Sequence, residues 1–87
     1  MITKDYLILA PQGMHARPAT TLIRLVKNYK SIISLQKSGK TVRLNSILNI
    51  LSMTIKGGET INIIIDGEDE ESAATAMDLF FTQLREL

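Results

Sequence analysis

His15 is the only histidine of this 87-residue chain, and it lies in the segment formed by residues 13–19 (GMHARPA). A neutral imidazole carries a free nitrogen lone pair, so it can act as a nucleophile and accept a group covalently. Arg17 follows two residues later, and its planar guanidinium matches the oxygens of a phosphate. A nucleophile beside a phosphate-binding cation indicates phosphoryl chemistry centred on His15.

Pro18 indicates that a helix begins within a residue or two of His15. Proline is favoured in the first helical turn because its missing N–H would have no partner there. The backbone N–H groups of Ala16 and Arg17 would then be unpaired donors at the positive end of the helix dipole, which is a site for a phosphate or another oxyanion. We therefore expect these two amides and the Arg17 side chain to bind phosphate.

The residues around His15 leave a second interpretation open, in which it is a helix-start or surface residue without chemistry. A metal centre is disfavoured, because no second histidine and no cysteine accompanies it and isolated carboxylates do not identify a metal shell. The sequence also lacks a glycine-rich nucleotide loop and a supported acid–base pair. We therefore expect no metal, no cofactor, and a covalent carrier in place of a complete enzyme.

The composition indicates one globular domain over residues 1–87, since 45% of the residues are hydrophobic and the formal net charge is only +1. That net charge is too small for non-specific electrostatic binding to nucleic acid. The absence of cysteine fits a reducing compartment, and cytoplasm is the expectation. Residues 1–5 already include Lys4 and lead into no long apolar stretch, so we expect neither a secretion signal nor a membrane span.

The hydrophobic pattern predicts an α+β fold. Short apolar runs bounded by proline or glycine are typical of strands, and apolar residues at three- and four-residue steps are typical of helices. In chain order the pattern predicts a strand at residues 6–9, a helix that begins at the motif, a hairpin of strands at 32–36 and 41–44, a short helix over 46–54 that exits at 56–58, a strand at 61–65 and a final helix. We expect an open-faced sandwich of order β-α-β-β-α-β-α, with three helices on one face of a four-stranded antiparallel sheet.

Both longer helices carry an apolar stripe. The first has Ala19, Leu22, Ile23, Val26 and Tyr29 at helical spacing. The last has Ala73, Met77, Phe80, Leu84 and Leu87, and it follows the acidic residues 68–71, whose charge the helix dipole favours at that end.

The whole chain resembles the HPr family, the histidine-containing phosphocarriers of the bacterial phosphoenolpyruvate-dependent sugar phosphotransferase system. Residues 13–19 match the family's phosphohistidine signature, with Met14 where leucine is commoner. Residues 45–48 (NSIL) fall where the family has a regulatory serine, and residues 67–70 (GEDE) match its acidic lead into the last helix. Three matches at the right spacing make the resemblance specific.

The resemblance implies a role for each residue of the motif. His15 would accept a phosphoryl group on its δ nitrogen from phosphorylated enzyme I and pass it to sugar-specific EIIA components. Arg17 and the amides of Ala16 and Arg17 would hold the phosphoryl oxygens. The implied partners are enzyme I, the EIIA components and, where Ser46 is regulated, HPr kinase/phosphorylase, and the implied state is a monomer.

Ser46 has two interpretations. Its hydroxyl can accept a hydrogen bond from a first-turn N–H as an ordinary helix cap. The resemblance adds phosphorylation by an ATP-dependent kinase, which would place negative charge in the surface that is expected to bind partner proteins. One residue can serve both purposes. Asn45 stands where lysine is frequent in the family, and Asn49 lies where many members have glycine or a charged residue.

The short helix after Ser46 has more apolar side chains than one core-facing stripe can hide. By resemblance, Ile47, Leu48 and Leu51 match positions that contact partners, and Thr20 and Arg24 of the first helix are expected to join them. The alternative is that the apolar residues of this segment are simply core, which we favour for Ile50. An exposed apolar patch usually marks an interaction site.

Two other functions remain open at this point. A small ligand-sensing or RNA-binding module could have the same order of elements, because fold does not fix function. The near-neutral charge and the few aromatics, two Tyr and two Phe, speak against RNA. A family relative in a regulatory phosphorelay would keep His15 and look the same.

Overall fold

The computed structural model describes residues 1–84, which form seven elements. They are β1 (Ile2–Leu7), α1 (Ala16–Val26), β2 (Ile32–Lys37), β3 (Lys40–Arg43), α2 (Ile47–Leu51), β4 (Thr60–Asp66) and α3 (Glu70–Gln83). The predicted order is confirmed. Leu87, which we assigned to the apolar stripe of the last helix, lies outside the described residues.

The strands of residues 1–84 form one antiparallel sheet in the order β1-β4-β2-β3. The central strand β4 pairs with β1 on one side and β2 on the other, with Ile63 opposite both Lys4 and Leu35. Along β4 the side chains of Ile61, Ile63 and Ile65 are buried, and those between them are not. Helices therefore cover one face of the sheet and the other is open, which confirms the open-faced sandwich.

The core lies between this covered face and the helices. α1 contributes Leu22, α3 contributes Met77 and the sheet contributes Ile63 to one core cluster, and all three side chains are fully buried. Full burial of a side chain of this size stabilises the fold by roughly 1.5–3 kcal/mol. The apolar stripes predicted for α1 and α3 therefore face the core, with Tyr29 at its margin.

The first strand was placed wrongly by the sequence pattern, at residues 6–9 instead of Ile2–Leu7. Lys4 and Tyr6 lie on the half-buried side of β1 and both donate to the Asp78 carboxylate on α3, at 2.7 and 2.6 Å. These bonds satisfy the polar groups of Lys4 and Tyr6. Because half-buried positions of β1 carry polar groups, the pattern of apolar residues does not predict this strand. Residues 8 and 9 follow the strand, with Leu9 45% exposed.

The expected exit of the short helix at residues 56–58 was also wrong. α2 ends at Leu51, and Ser52 is its C-cap. Gly57 instead permits a close approach, since a Cβ there would lie 2.6 Å from the Ala10 carbonyl oxygen and 2.7 Å from that of Pro11. Glycine ends helices and also permits such contacts, so the pattern alone could not separate the two uses.

The predicted hairpin is confirmed, with Lys37 paired to Lys40 across a two-residue turn. Ser38 and Gly39 both have positive φ, 52° and 80°. Two left-handed residues define the type I′ turn that fits the twist of a hairpin.

Within residues 1–84, no helix has the length and apolar character required to cross a membrane.

Candidate phosphate-binding site

His15 is the N-cap residue of α1, with φ −87° and ψ −174°. Its carbonyl oxygen accepts the first helical hydrogen bond, from the Ala19 amide at 3.1 Å. Its side chain makes no capping bond and is half-buried. The imidazole therefore sits at the start of the helix without being used to hold the helix together.

The amides that follow His15 are unpaired, as expected. Ala16 and Arg17 are the first two residues of α1, and neither amide donates to any acceptor within residues 1–84. Pro18 is the third helical residue and has no N–H. The prediction that the helix starts next to His15 is confirmed, and two N–H groups at the positive helix end remain free for an anion.

His15 and Arg17 line the same surface depression, whose volume is about 320 Å³. Arg17 is exposed, and no carboxylate within residues 1–84 forms an ion pair with it. Ala10, Pro11 and Gln12 form the rest of the lining. Sequence reasoning missed these three, although their position between a strand and the motif helix could have indicated them.

Gly13 and Met14 anchor the segment that carries His15. The Met14 amide donates to the Ile55 carbonyl at 3.0 Å, and the Met14 side chain is buried. Gly13 has φ +69°, and a Cβ on it would lie 2.1 Å from the same carbonyl oxygen. Only glycine combines that backbone conformation with that close approach. The motif glycine thus lets residues 10–15, here called the His15 loop, pack against the chain at Ile55.

Ser46 is the N-cap of α2, and its hydroxyl oxygen accepts a hydrogen bond from the Asn49 amide at 3.1 Å. The capping role is confirmed. The Asn49 side chain donates to the Asn45 side chain at 2.8 Å and to the Arg43 carbonyl at 3.0 Å. The two asparagines thus form a neutral hydrogen-bonded pair on either side of Ser46.

The apolar residues of α2 divide between surface and core. Leu48 is 77% exposed and Leu51 is 37% exposed, whereas Ile50 is fully buried and Ile47 is half-buried. The alternative that this whole segment is core is therefore wrong for Leu48, and the core assignment of Ile50 is confirmed.

The two α1 residues expected to join this patch are accessible to different degrees. Thr20 is half-buried and its hydroxyl donates to the Ala16 carbonyl at 2.8 Å, one turn back. Arg24 is exposed in the last turn of α1. α1 and α2 pack against each other, so their exposed residues can belong to one surface.

Among residues 1–84, no group of three His, Cys, Asp or Glu side chains is placed to hold a metal ion.

These features define a small α+β open-faced sandwich with a histidine at the start of a helix whose first amides are free. The family model described as "PTS HPr component phosphorylation site" matches residues 2–83. The chain belongs to the HPr family of phosphocarrier proteins of the phosphotransferase system. The family resemblance drawn from residues 13–19 is confirmed.

Known relatives agree with this assignment over most or all of the chain. The phosphocarrier protein HPr of Borreliella burgdorferi is 35% identical over 77 residues, which cover 88% of this chain and 90% of that protein. The crystal structure of HPr-C-His from Thermoanaerobacter tengcongensis superposes with a TM-score of 0.93 at 28% identity, covering 100% of this chain and 98% of that one. An HPr dimer from the same organism matches with a TM-score of 0.73 at 33% identity, covering 83% and 84%.

Proposed function

We propose that this protein accepts a phosphoryl group on His15 from phosphorylated enzyme I, a group derived from phosphoenolpyruvate, and passes it to EIIA components in sugar uptake. The observation that carries the proposal is that the uncommitted imidazole of His15 and Arg17, which has no ion pair within residues 1–84, line one depression at a helix start whose first two amides are free. Membership of the HPr family supports the same role.

The transfer needs few groups from this chain. A lone-pair nitrogen of His15, taken from the family as the δ nitrogen, attacks the phosphorus. A P–N bond forms as the donor's bond to phosphorus breaks, and the electron pair of that bond returns to the donor. In the second transfer a nucleophile of the acceptor attacks the phosphorus, the P–N bond breaks, and its electron pair returns to the His15 nitrogen. Such reactions depend on positioning and on stabilisation of charge spread over the phosphoryl oxygens.

The amides of Ala16 and Arg17 and the Arg17 guanidinium supply that stabilisation. The two N–H groups are fixed by the helix and need no rearrangement when negative charge develops. The guanidinium is held on a flexible, exposed side chain, so it can follow the phosphoryl group from one partner to the other. No metal or cofactor takes part in the proposed step.

Partners dock, in this proposal, on the surface formed by Ile47, Leu48 and Leu51 of α2 with Thr20 and Arg24 of α1. The 77% exposure of Leu48 supports this, because a leucine gains little from facing water. An apolar centre beside an arginine fits partners that combine an apolar contact with carboxylates.

Ser46 is proposed as a regulatory phosphorylation site for HPr kinase/phosphorylase. It directly precedes Ile47 and Leu48, so a phosphate there adds negative charge at the edge of the docking surface. The neutral pair of Asn45 and Asn49 offers no cation to offset that charge. Phosphorylation is therefore expected to weaken docking of acidic partners.

The protein acts in the cytoplasm as a single-domain monomer, without nucleic acid or a membrane span. The solved HPr dimer makes the oligomeric state worth measuring, and light scattering at micromolar concentration decides it.

The decisive experiment is incubation with enzyme I and phosphoenolpyruvate, followed by detection of acid-labile phosphate on His15 by mass spectrometry. His15→Ala should carry none. Arg17→Gln should be phosphorylated more slowly by roughly a hundredfold, the scale found when one charge-stabilising donor is removed. Lys27→Gln, which removes an exposed positive charge at the opposite, C-terminal end of α1, serves as control. Absence of phosphate on the wild-type protein would reject the proposed function.

A further inference from the structure

Lys37 uses its entire donor capacity within the protein. Its ammonium donates to the Met53 carbonyl at 3.3 Å, the Thr54 carbonyl at 2.8 Å and Glu59 Oε1 at 2.9 Å. An ammonium has three N–H donors, so none is left for solvent. The side chain is correspondingly only 16% exposed. A lysine so committed acts on the chain around its acceptors.

Those acceptors lie at both ends of residues 53–59, here called the support loop. Glu59 Oε1 also accepts the Lys56 amide at 2.6 Å, which ties the middle of the loop to its end. The hydrogen bond from Lys37, and secondly that from the Lys56 amide, lowers the pKa of Glu59. The carboxylate is therefore held in its charged form, and the loop is closed around one ammonium.

Thr54 shows why the support loop requires such a restraint. It has φ +49°, in the left-handed region that a β-branched residue rarely adopts. Its carbonyl accepts the shorter of the two Lys37 backbone bonds. Lys37 therefore stabilises a backbone conformation that the residue itself does not favour.

The support loop in turn holds the His15 loop. Ile55, the residue after Thr54, accepts the Met14 amide, and Gly57 packs on the carbonyls of Ala10 and Pro11. The Gly58 amide also donates to the Ile8 carbonyl at 2.9 Å. Lys37 is thus connected to His15 through the backbone of Thr54 and Ile55 and through the hydrogen bond from the Met14 amide to the Ile55 carbonyl.

We propose that Lys37 is a positioning residue of the phosphoryl-acceptor site, which fixes the Ile55 carbonyl and through it the placement of His15. The inference rests on the proposed function, because the placement matters only if His15 accepts a phosphoryl group. Loss of the three hydrogen bonds lets Thr54 relax, and the His15 loop shifts relative to the amides of α1. The rate of phosphoryl transfer depends strongly on the orientation of the nucleophile, so a small displacement of the His15 imidazole slows the reaction.

The test replaces Lys37 by methionine, which keeps an unbranched apolar chain and removes the donors. Phosphorylation by enzyme I is expected to slow by roughly tenfold in kcat with KM unchanged, because the docking residues of α2 are untouched. The amide NMR signals of Met14, Ala16 and Arg17 should shift. Lys40→Met is the matched control, since Lys40 lies in the same hairpin, is exposed and forms no ion pair within residues 1–84.

The conservative variant Lys37→Arg retains several donors and is expected to restore most of the rate. Lys37→Met with wild-type kcat and unmoved amide signals overturns the inference. If that variant does not fold, Lys37→Gln takes its place, because a single shorter amide cannot reach all three acceptors. A wild-type protein that carries no phosphate rejects the proposed function instead, while the amide shifts, which need no partner, still decide whether Lys37 sets the His15 loop.

Discussion

The amide of Met14 donates to the carbonyl of Ile55 at 3.0 Å, so the residue directly before His15 is hydrogen-bonded to the chain that leads into β4. The motif is therefore not a free loop at the start of a helix. Its geometry depends on residues 53–59, which carry no recognisable chemistry themselves.

Gly13→Ala is expected to destabilise the protein more than Gly39→Ala. Both positions have positive φ, which costs a residue with a Cβ about 1–2 kcal/mol. At Gly13 the Cβ would in addition lie 2.1 Å from the Ile55 carbonyl oxygen, whereas nothing lies within 4 Å of the Cβ at Gly39. Urea unfolding of the two variants measures the difference. Equal losses would contradict the close contact as the cause.

Leu48→Asp is expected to weaken binding to enzyme I by tenfold or more, roughly the loss of an apolar anchor in an interface, and to leave the fold intact. The side chain is 77% exposed, so the carboxylate remains hydrated. Ile50→Ala is the contrasting variant, since it removes a fully buried side chain and should cost about 2–5 kcal/mol. Titration calorimetry measures the binding of Leu48→Asp, and a dispersed NMR spectrum shows that its fold is intact. Urea unfolding measures the stability lost in Ile50→Ala. A collapsed spectrum for Leu48→Asp would show that the leucine is structural.

Ser46→Ala and Ser46→Asp separate the two roles of that residue. Alanine loses the cap to the Asn49 amide and should lower the free energy of unfolding by about 1 kcal/mol. Aspartate can still cap, so stability should stay close to wild type while the added charge weakens partner binding. Thermal unfolding and binding are measured on the same samples. Unchanged binding of Ser46→Asp would argue against the proposed regulation.

Acidification should narrow the stability difference between the wild type and Asp69→Asn. The pKa of Asp69 is held below its ordinary value of 3.8, first by the hydrogen bond from the Ser31 hydroxyl and then by that from the Lys30 amide. A carboxyl with a lowered pKa contributes stability above its unfolded pKa and loses it as the pH falls through the folded pKa. The wild type should thus be more stable at pH 7 and lose that advantage below about pH 4.

Urea unfolding at pH 7, 4 and 3 gives the comparison. Ser31→Ala removes the hydroxyl donor and should reduce the advantage of Asp69 at pH 7. A difference between wild type and Asp69→Asn that stays constant with pH would mean that ionisation of Asp69 does not contribute to stability.

The parts of the molecule that sequence predicts well are those set by local rules. The isoleucines of β4 alternate and therefore give both a strand and its buried face. Pro18 locates the start of α1, and the free amides beside His15 follow from helix geometry alone. These features need only neighbours along the chain.

The parts that were missed depend on partners far away in sequence. β1 contains Lys4 and Tyr6 on its half-buried side, and both donate hydrogen bonds to the distant Asp78. The acceptors of Lys37 include two backbone carbonyls, which every residue type has, so no pattern of side chains could reveal them. Contacts of this kind are properties of the fold.

The depression that holds His15 is open, and two of its lining residues, Pro11 and Gln12, are exposed. A group carried there can be reached from outside, but only from one side of the molecule. Under the proposed function, a donor and an acceptor must therefore visit that side in turn, since one excludes the other. Throughput then depends on how fast each partner leaves, so brief encounters with moderate affinity serve a shuttle better than long-lived complexes.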